Sequence, residues 1–116
     1  MSEHYAVIRP AGRHYKVFFA GELVVESDDV LELEEHFGEK TAPKVPYFPA
    51  VVLDSLGLKD SATTSTCPLK GQARYWSFRG VKDAVWSYPD AKDAVSEVAG
   101  FVAFDAAKGF RIEADG

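Results

Sequence analysis

Short runs of β-branched and aromatic residues recur along this chain, and glycine, proline or aspartate interrupts each of them. Residues 15–20 and 23–27 flank a Gly21-Glu22 break, which predicts a β-hairpin. Residues 72–78 and 81–88 flank Arg79-Gly80 and predict a second antiparallel pair. Segments this short, divided by turn residues, favour a mainly β fold: one compact antiparallel β sandwich or partly open barrel with one or two short helices.

The remaining segments follow the same pattern. Leu31 and Leu33 alternate with Glu32 and Glu34, the period of a half-buried strand. Residues 47–48 form a short apolar run between Pro46 and Pro49, which predicts a strand at a sheet edge, because proline donates no ladder hydrogen bond. The other expectations are strands at 5–9, 100–105 and 110–112, a helical turn at 50–58, a short helix at 89–98, and loops at 38–46 and 59–66.

Length and charge narrow the class of protein. A chain of 116 residues predicts a single domain spanning residues 1–116. Its net charge of −5 argues against binding a nucleic-acid polymer, although it leaves a single nucleotide open. The lone cysteine cannot form an internal disulfide. Without a signal-peptide pattern or an apolar run of about 20 residues, we expect a cytoplasmic protein with no membrane partner.

The most reactive groups gather in residues 63–78. This stretch passes from four hydroxyl residues through Cys67-Pro68 and Lys70-Gly71 into a strand with two adjacent aromatics. Lysine supplies a point charge, glycine permits close backbone approach, and hydroxyls donate hydrogen bonds, so the segment suits an anion. It is not a P-loop, because the glycine follows the lysine and a strand comes next. The alternative is a polar turn whose hydroxyls cap the loop backbone. The candidate ligand-binding residues are Ser65, Thr66, Cys67, Lys70, Tyr75 and Trp76.

Catalysis and metal binding have weaker sequence support. Cys67 is a candidate nucleophile if Lys70 stabilises its thiolate, but the sequence places no histidine beside it, and a packed thiol is the alternative. The histidines and the cysteine lack the spacing of a zinc site, so no metal site is predicted. The acidic run from Asp28 to Glu35 has no EF-hand spacing and is interpreted as a solvated strand face. We make no assignment of enzymatic activity, catalytic residues or cofactor.

Five aromatic residues fall on the second predicted hairpin: Tyr75, Trp76 and Phe78 in the pattern Tyr-Trp-Ser-Phe, and Trp86 and Tyr88 in the related pattern Val-Trp-Ser-Tyr. Core packing accounts for most of this content, because one face of a half-buried hairpin lines the core. The repeated Trp-Ser step suggests that one aromatic on each strand borders a cleft.

The same residues carry a family resemblance. The run Ser-Thr-Cys-Pro-Leu-Lys-Gly at 65–71, followed by Ala-Arg-Tyr-Trp at 73–76, resembles the family called domain of unknown function 427, with Ser65 where the family usually has threonine. The segments 17–22, 45–49 and 100–104 resemble its opening hairpin, its Tyr-Phe-Pro segment and its closing strand. After Pro49 the family often continues with an arginine and an acidic residue, which this chain lacks. The resemblance implies a small, mostly β domain without an established activity, sometimes labelled nucleotidyltransferase-like.

Two functional hypotheses follow. The first is a pocket for a small anionic or nucleotide-like ligand at the Thr-Cys-Pro-Leu-Lys-Gly loop, residues 66–71, in which Lys70 neutralises charge, hydroxyls orient the ligand and aromatics stack on it. The second is a non-catalytic interaction module or homodimer that makes contact through the aromatic strands.

Overall fold

A computed structural model describes residues 3–115 as two antiparallel sheets and three short 3₁₀ helices. In the large sheet, whose order is β1-β4-β6-β10-β9-β8-β7 with β5 paired to β4, the strands are β1 (His4–Pro10), β4 (Leu31–Phe37), β5 (Lys40–Thr41), β6 (Val45–Pro49), β7 (Lys59–Cys67), β8 (Gly71–Phe78), β9 (Val81–Ser87) and β10 (Phe101–Phe104). In the small sheet, whose order is β11-β2-β3, they are β2 (Tyr15–Phe19), β3 (Glu22–Ser27) and β11 (Phe110–Ala114). The helices are Ala50–Ser55, Asp93–Val98 and Ala106–Lys108. The predicted mainly β fold is confirmed.

Both predicted hairpins form, as β2–β3 and β8–β9. Their two-residue connections, Ala20-Gly21 and Arg79-Gly80, have positive φ at both positions, which matches the twist of the flanking strands. The Arg79 guanidinium also contacts both Glu22 carboxylate oxygens, at 3.1 and 3.2 Å, so the two turns are joined by an ion pair.

The small sheet packs face to face on the large one over an apolar core. Buried residues from both sheets meet there, with Val17 and Val25 on one side and Phe48, Phe78 and Val102 on the other. Aromatic rings continue the contact across the layer: the Phe48 ring is 5.9 Å from that of Tyr15 and 5.3 Å from that of Phe104. This shared core makes the domain a two-layer sandwich.

The opposite face of the large sheet is apolar as well. Leu33, Tyr47 and Ala103 are buried on it, and the helix Asp93–Val98 covers it with the fully buried Val95 and Val98. This surface is called the second face below. The large sheet is therefore covered on both sides over much of its area.

The large sheet is curled. Glu35 on β4 and Lys70 in the β7–β8 turn are 2.6 Å apart, yet β6, β10 and β9 lie between β4 and β8 in the sheet order. In a flat sheet, four strand steps correspond to about 19 Å, which is beyond the combined reach of the two side chains. The strands therefore bend toward the second face and bring the two ends of the sheet close together.

Four local predictions are wrong. Residues 59–66 were predicted as a loop and form most of β7, while the predicted edge strand at 47–48 is β6, which lies between β4 and β10. The acidic run is not wholly solvated, because Glu32 is buried against Arg13 and Tyr15, and Glu35 is 13% exposed. The helix predicted to open at Pro89 begins at Asp93.

Candidate functional site

The six sequence-predicted residues divide between the two faces of the large sheet. Cys67 and Tyr75 pack on the second face, and the Ser65 hydroxyl lies 2.8 Å from the Tyr75 hydroxyl. Lys70 reaches the same face from the β7–β8 turn, where its ammonium lies 5.7 Å from the centre of the Tyr88 ring. Four of the six residues therefore lie on the second face.

Trp76 and Thr66 lie apart from these four. Successive residues of a strand point to opposite faces, so Trp76 turns away from Tyr75 and is buried in the core between the sheets. The Arg74 guanidinium covers its ring at 4.6 Å. Thr66 alternates in the same way with Ser65 and Cys67 and is exposed.

Lys70 is held by a carboxylate that the sequence analysis did not include. Its Nζ lies 2.6 Å from Glu35 Oε1, and the two side chains are 15% and 13% exposed. The other carboxylate oxygen, Oε2, lies 2.5 Å from His4 Nε2. An imidazole, a carboxylate and an ammonium thus form a continuous line from β1 through β4 to the β7–β8 turn.

Phenol groups surround this line. Tyr47, Tyr75 and Tyr88 all belong to the second face, and the Trp86 indole N–H donates to the Tyr47 hydroxyl at 3.3 Å. The polar residues that meet there are called the Lys70 cluster below: His4, Glu35, Tyr47, Cys67, Lys70, Tyr75 and Tyr88.

The electrostatics of the Lys70 cluster keep the phenols of Tyr47 and Tyr88 neutral and the Glu35 carboxylate charged. Burial raises the pKa of Tyr47 to about 12, and the nearby Glu35 carboxylate adds to the rise. Burial also raises the pKa of Tyr88, as do the neighbouring acidic groups of Tyr47 and Cys67. For Glu35, burial acts to raise the pKa, but hydrogen bonds from Lys70 and His4 outweigh it and the pKa is lowered. At neutral pH the phenols can therefore donate hydrogen bonds to an acceptor.

The segment that follows β9 holds the β7–β8 turn in place through hydrogen bonds. Lys92 donates from its ammonium to the Pro68 carbonyl at 2.9 Å, and from its backbone N–H to the Lys70 carbonyl at 3.1 Å. Gly71 has a φ of +107°, and a Cβ there would lie 3.4 Å from the Asp90 carbonyl oxygen. A shallow groove of about 480 Å³ runs between this turn and the helix Asp93–Val98.

The sequence analysis missed Glu35, His4 and Tyr47 as partners of Lys70. The signal for Glu35 was present, because Leu31, Leu33 and Glu35 share one face of β4 by period two. A carboxylate in a row of core-facing leucines indicates a buried charge that needs a partner. His4 and Tyr47 had no comparable signal, since their proximity depends on the curl of the sheet.

The described part of the chain contains no assembled set of metal ligands. Residues 3–115 contain no group of three or more histidine, cysteine, aspartate or glutamate side chains placed to hold a metal ion. None of the helical segments over the same range combines the length and apolarity that crossing a bilayer requires.

The family model described as "Domain of unknown function (DUF427)" matches residues 7–115, which is nearly the whole chain. The chain therefore belongs to this family. A search of curated proteins returns no match.

Proposed function

We propose that this DUF427 domain binds a small anionic or nucleotide-like molecule at the Lys70 cluster. The observation that carries the proposal is the Lys70–Glu35 pair, in which both charged side chains are removed from most of their water. Such a pair is poor evidence for stability, because the desolvation of two charges often exceeds their mutual attraction. Perturbed titratable groups that converge in one place are instead typical of functional sites.

The surrounding side chains suit a ligand with one acidic group and one planar part. Lys70 supplies the positive charge, while the Ser65 and Tyr75 hydroxyls, 2.8 Å apart, can reorient to donate to an oxygen. The half-buried Tyr75 ring offers a surface on which a planar group can stack. A nucleoside monophosphate has both features.

Binding of an anion requires an exchange of partners, because Glu35 already occupies one side of the Lys70 ammonium. In the proposed complex the ligand replaces Glu35 at Lys70. Glu35 then keeps its contact with His4, which bonds the other carboxylate oxygen. The protein carboxylate is thus a competitor of the ligand.

Isothermal titration calorimetry with adenosine monophosphate (AMP) and with inorganic phosphate tests this proposal. Lys70→Met is expected to weaken AMP binding at least about tenfold, because a charge-assisted hydrogen bond contributes about 1.5–3 kcal/mol. Glu35→Gln is expected to strengthen it, since the competing charge is removed while the amide can still accept a hydrogen bond.

The matched control is Lys59→Met, which removes the same charge from an exposed position at the far end of β7. It is expected to leave AMP affinity unchanged. Equal affinities in wild type, Lys70→Met and Lys59→Met would remove Lys70 from the site. A gain in binding for phosphate but not for AMP in Glu35→Gln would limit the ligand to a simple anion.

The alternative function, an interaction module or homodimer that uses the aromatic strands, draws less support. Trp76 and Tyr88 are buried, and Tyr75 and Trp86 are half-buried, so these rings offer little free surface to a partner. Light scattering that gives a dimer mass, lost on substitution of Tyr75 by serine, would favour it.

A further inference from the structure

A second hollow lies where β6 and β10 separate. The two strands pair only at Phe48–Val102 and Pro49–Phe101. Beyond that point β6 continues along β4 and β10 along β9, and Pro46 has no N–H with which to extend the ladder. The strands diverge and leave an open cavity of about 360 Å³ beside the gap, lined by residues of both sheets.

Apolar side chains form most of the wall of this cavity. Val45 and Pro46 line it from β6, Phe104 from β10 and Ile112 from β11, and the rings of Tyr15 and Trp86 complete it. Phe104 is 3% exposed and Tyr15 is 7% exposed, so these two residues form a buried floor, whereas the other lining residues are half-buried or exposed and leave the hollow open to solvent.

One charged side chain borders the cavity. Lys44, which is exposed and immediately precedes β6, is the single charged residue among the described residues that line it. The nearby Glu32 carboxylate is already engaged by Arg13 at 2.9 Å and by the Tyr15 hydroxyl. Lys44 adds only a long-range attraction to that carboxylate, so its ammonium can meet an anion at the mouth of an apolar space.

From this geometry we infer a binding site for a small apolar monocarboxylate, whose hydrocarbon part fills the cavity and whose carboxylate meets Lys44. The volume is within the range of about 300–1,000 Å³ typical of small-molecule sites. Burial of the hydrocarbon drives the binding, and Lys44 provides the preference for an acid over an alcohol. The two sites share no charged residue, although Trp86, which lines the hollow, donates its indole N–H to Tyr47 of the Lys70 cluster.

Titration of the ¹⁵N-labelled chain with octanoate and with 1-octanol, followed by amide chemical shifts, tests the inference. Octanoate is expected to shift the amides of Val45, Phe104 and Ile112 saturably, while that of Gly71, in the β7–β8 turn, stays in place. Octanol is expected to shift the same amides with about three- to tenfold weaker affinity, the contribution of one partly exposed charge pair.

Three variants separate this site from adventitious hydrophobic binding. Lys44→Met is expected to lower octanoate affinity to the level of octanol, and Lys40→Met, at the exposed strand β5, to leave it unchanged. Ala106→Trp, at an exposed position on the cavity rim, is expected to abolish binding of both probes. Circular dichroism confirms that each variant is folded.

The inference is overturned by the absence of saturable shifts at these amides, or by equal octanoate affinity in wild type and Lys44→Met. Octanoate binding that survives Ala106→Trp in the folded variant would overturn it as well, because the ligand would then occupy another surface.

Discussion

At the level of single residues, Lys70 and Glu35 neutralise each other's charge, and in the proposed complex Glu35 competes with the ligand for Lys70. The ammonium and carboxylate neutralise one another across the curl of the sheet, at 2.6 Å, and the Tyr88 ring faces the ammonium at 5.7 Å. Each charge would be costly to bury alone. A ligand that binds Lys70 in place of Glu35 must therefore leave the Glu35 carboxylate with another partner. His4, which contacts Glu35 Oε2, is that partner.

The first prediction concerns the stability of this pair. Lys70→Met leaves Glu35 buried with His4 as its remaining partner, so we expect a loss of about 2–3 kcal/mol, below the range of about 3–5 kcal/mol for a fully buried pair. Lys70→Met/Glu35→Gln should lose less than the sum of the single changes, because neither charge is then unpaired. Urea unfolding of the four proteins measures the coupling, and strict additivity would contradict the described contact.

The second prediction concerns pH. The folded-state pKa of Glu35 lies below its ordinary value of 4.5, so its ionisation stabilises the fold above that pH, and the contribution is lost as pH falls through the folded pKa. The difference in unfolding free energy between wild type and Glu35→Gln is therefore expected to be constant from pH 7 to about 5 and to shrink below pH 4.5. A difference that grows on acidification would contradict this prediction, because it would mean that folding raises the pKa of Glu35.

The sequence alone pointed to the members of the Lys70 cluster that are close together along the chain, and it missed those that are distant in sequence. Cys67, Lys70 and Tyr75 stand close together along the chain, and their chemistry is visible without a fold. His4 and Tyr47 come near Lys70 only because the large sheet curls, which depends on strand order that local patterns do not encode. Trp76 was grouped with them by adjacency, although strand alternation places it on the other face.

Among the structural elements, the β7–β8 turn is the one on which the site depends. It presents Lys70 toward β4 while two Lys92 hydrogen bonds hold its carbonyls. Its exit requires the left-handed φ of Gly71, where a side chain is strained and a Cβ would approach the Asp90 carbonyl.

The third prediction follows from that geometry. Gly71→Ala is expected to destabilise the domain by about 1–3 kcal/mol, because alanine is strained at a φ of +107° and the neighbouring backbone limits its space. Gly100→Ala, where φ is not in the left-handed region and no atom lies within 4 Å of the added Cβ, should change stability by no more than about 0.5 kcal/mol. Thermal unfolding of both variants measures the contrast, and equal shifts would contradict it.

Two segments of the large sheet were predicted wrongly, for different reasons: β7 was predicted as a loop, and β6 as a strand at the sheet edge. β7 contains few apolar residues because it is the last strand of the large sheet, so the hydrophobic pattern that signals a strand is weak there, although threonine suits a pleated surface. β6 carries Pro46 and Pro49, which favoured an edge. It lies inside the sheet because its ladders are short, with β4 pairing at 45–47 and β10 at 48–49.

At the scale of the whole molecule, the two sides of the large sheet differ in composition. The core between the sheets is aromatic and apolar, with the buried Phe48 at its centre, whereas the second face carries the ion pair and the phenols. Composition and strand pattern predicted the β architecture, since short amphipathic strands have few other ways to bury their apolar side. Composition and strand pattern could not predict which face of the large sheet packs on the small sheet, because both sides of the central strands are apolar.

The fourth prediction tests this division of the molecule. Phe48→Ala removes a ring that joins Tyr15 of the small sheet to Phe104 of the large one, so a loss of about 3–5 kcal/mol is expected. Val51→Ala, at a side chain that is 70% exposed, should be neutral within about 0.5 kcal/mol. Chemical denaturation compares them, and a loss below about 1 kcal/mol for Phe48→Ala would mean that the layers do not share a core.

The most direct test of the Lys70 site is a crystal structure of the protein grown with AMP. We expect a phosphate oxygen about 2.7–2.9 Å from Lys70 Nζ, with Glu35 displaced from the ammonium and still bonded to His4. An intact Lys70–Glu35 pair, with AMP bound on another surface or not at all, would contradict the account.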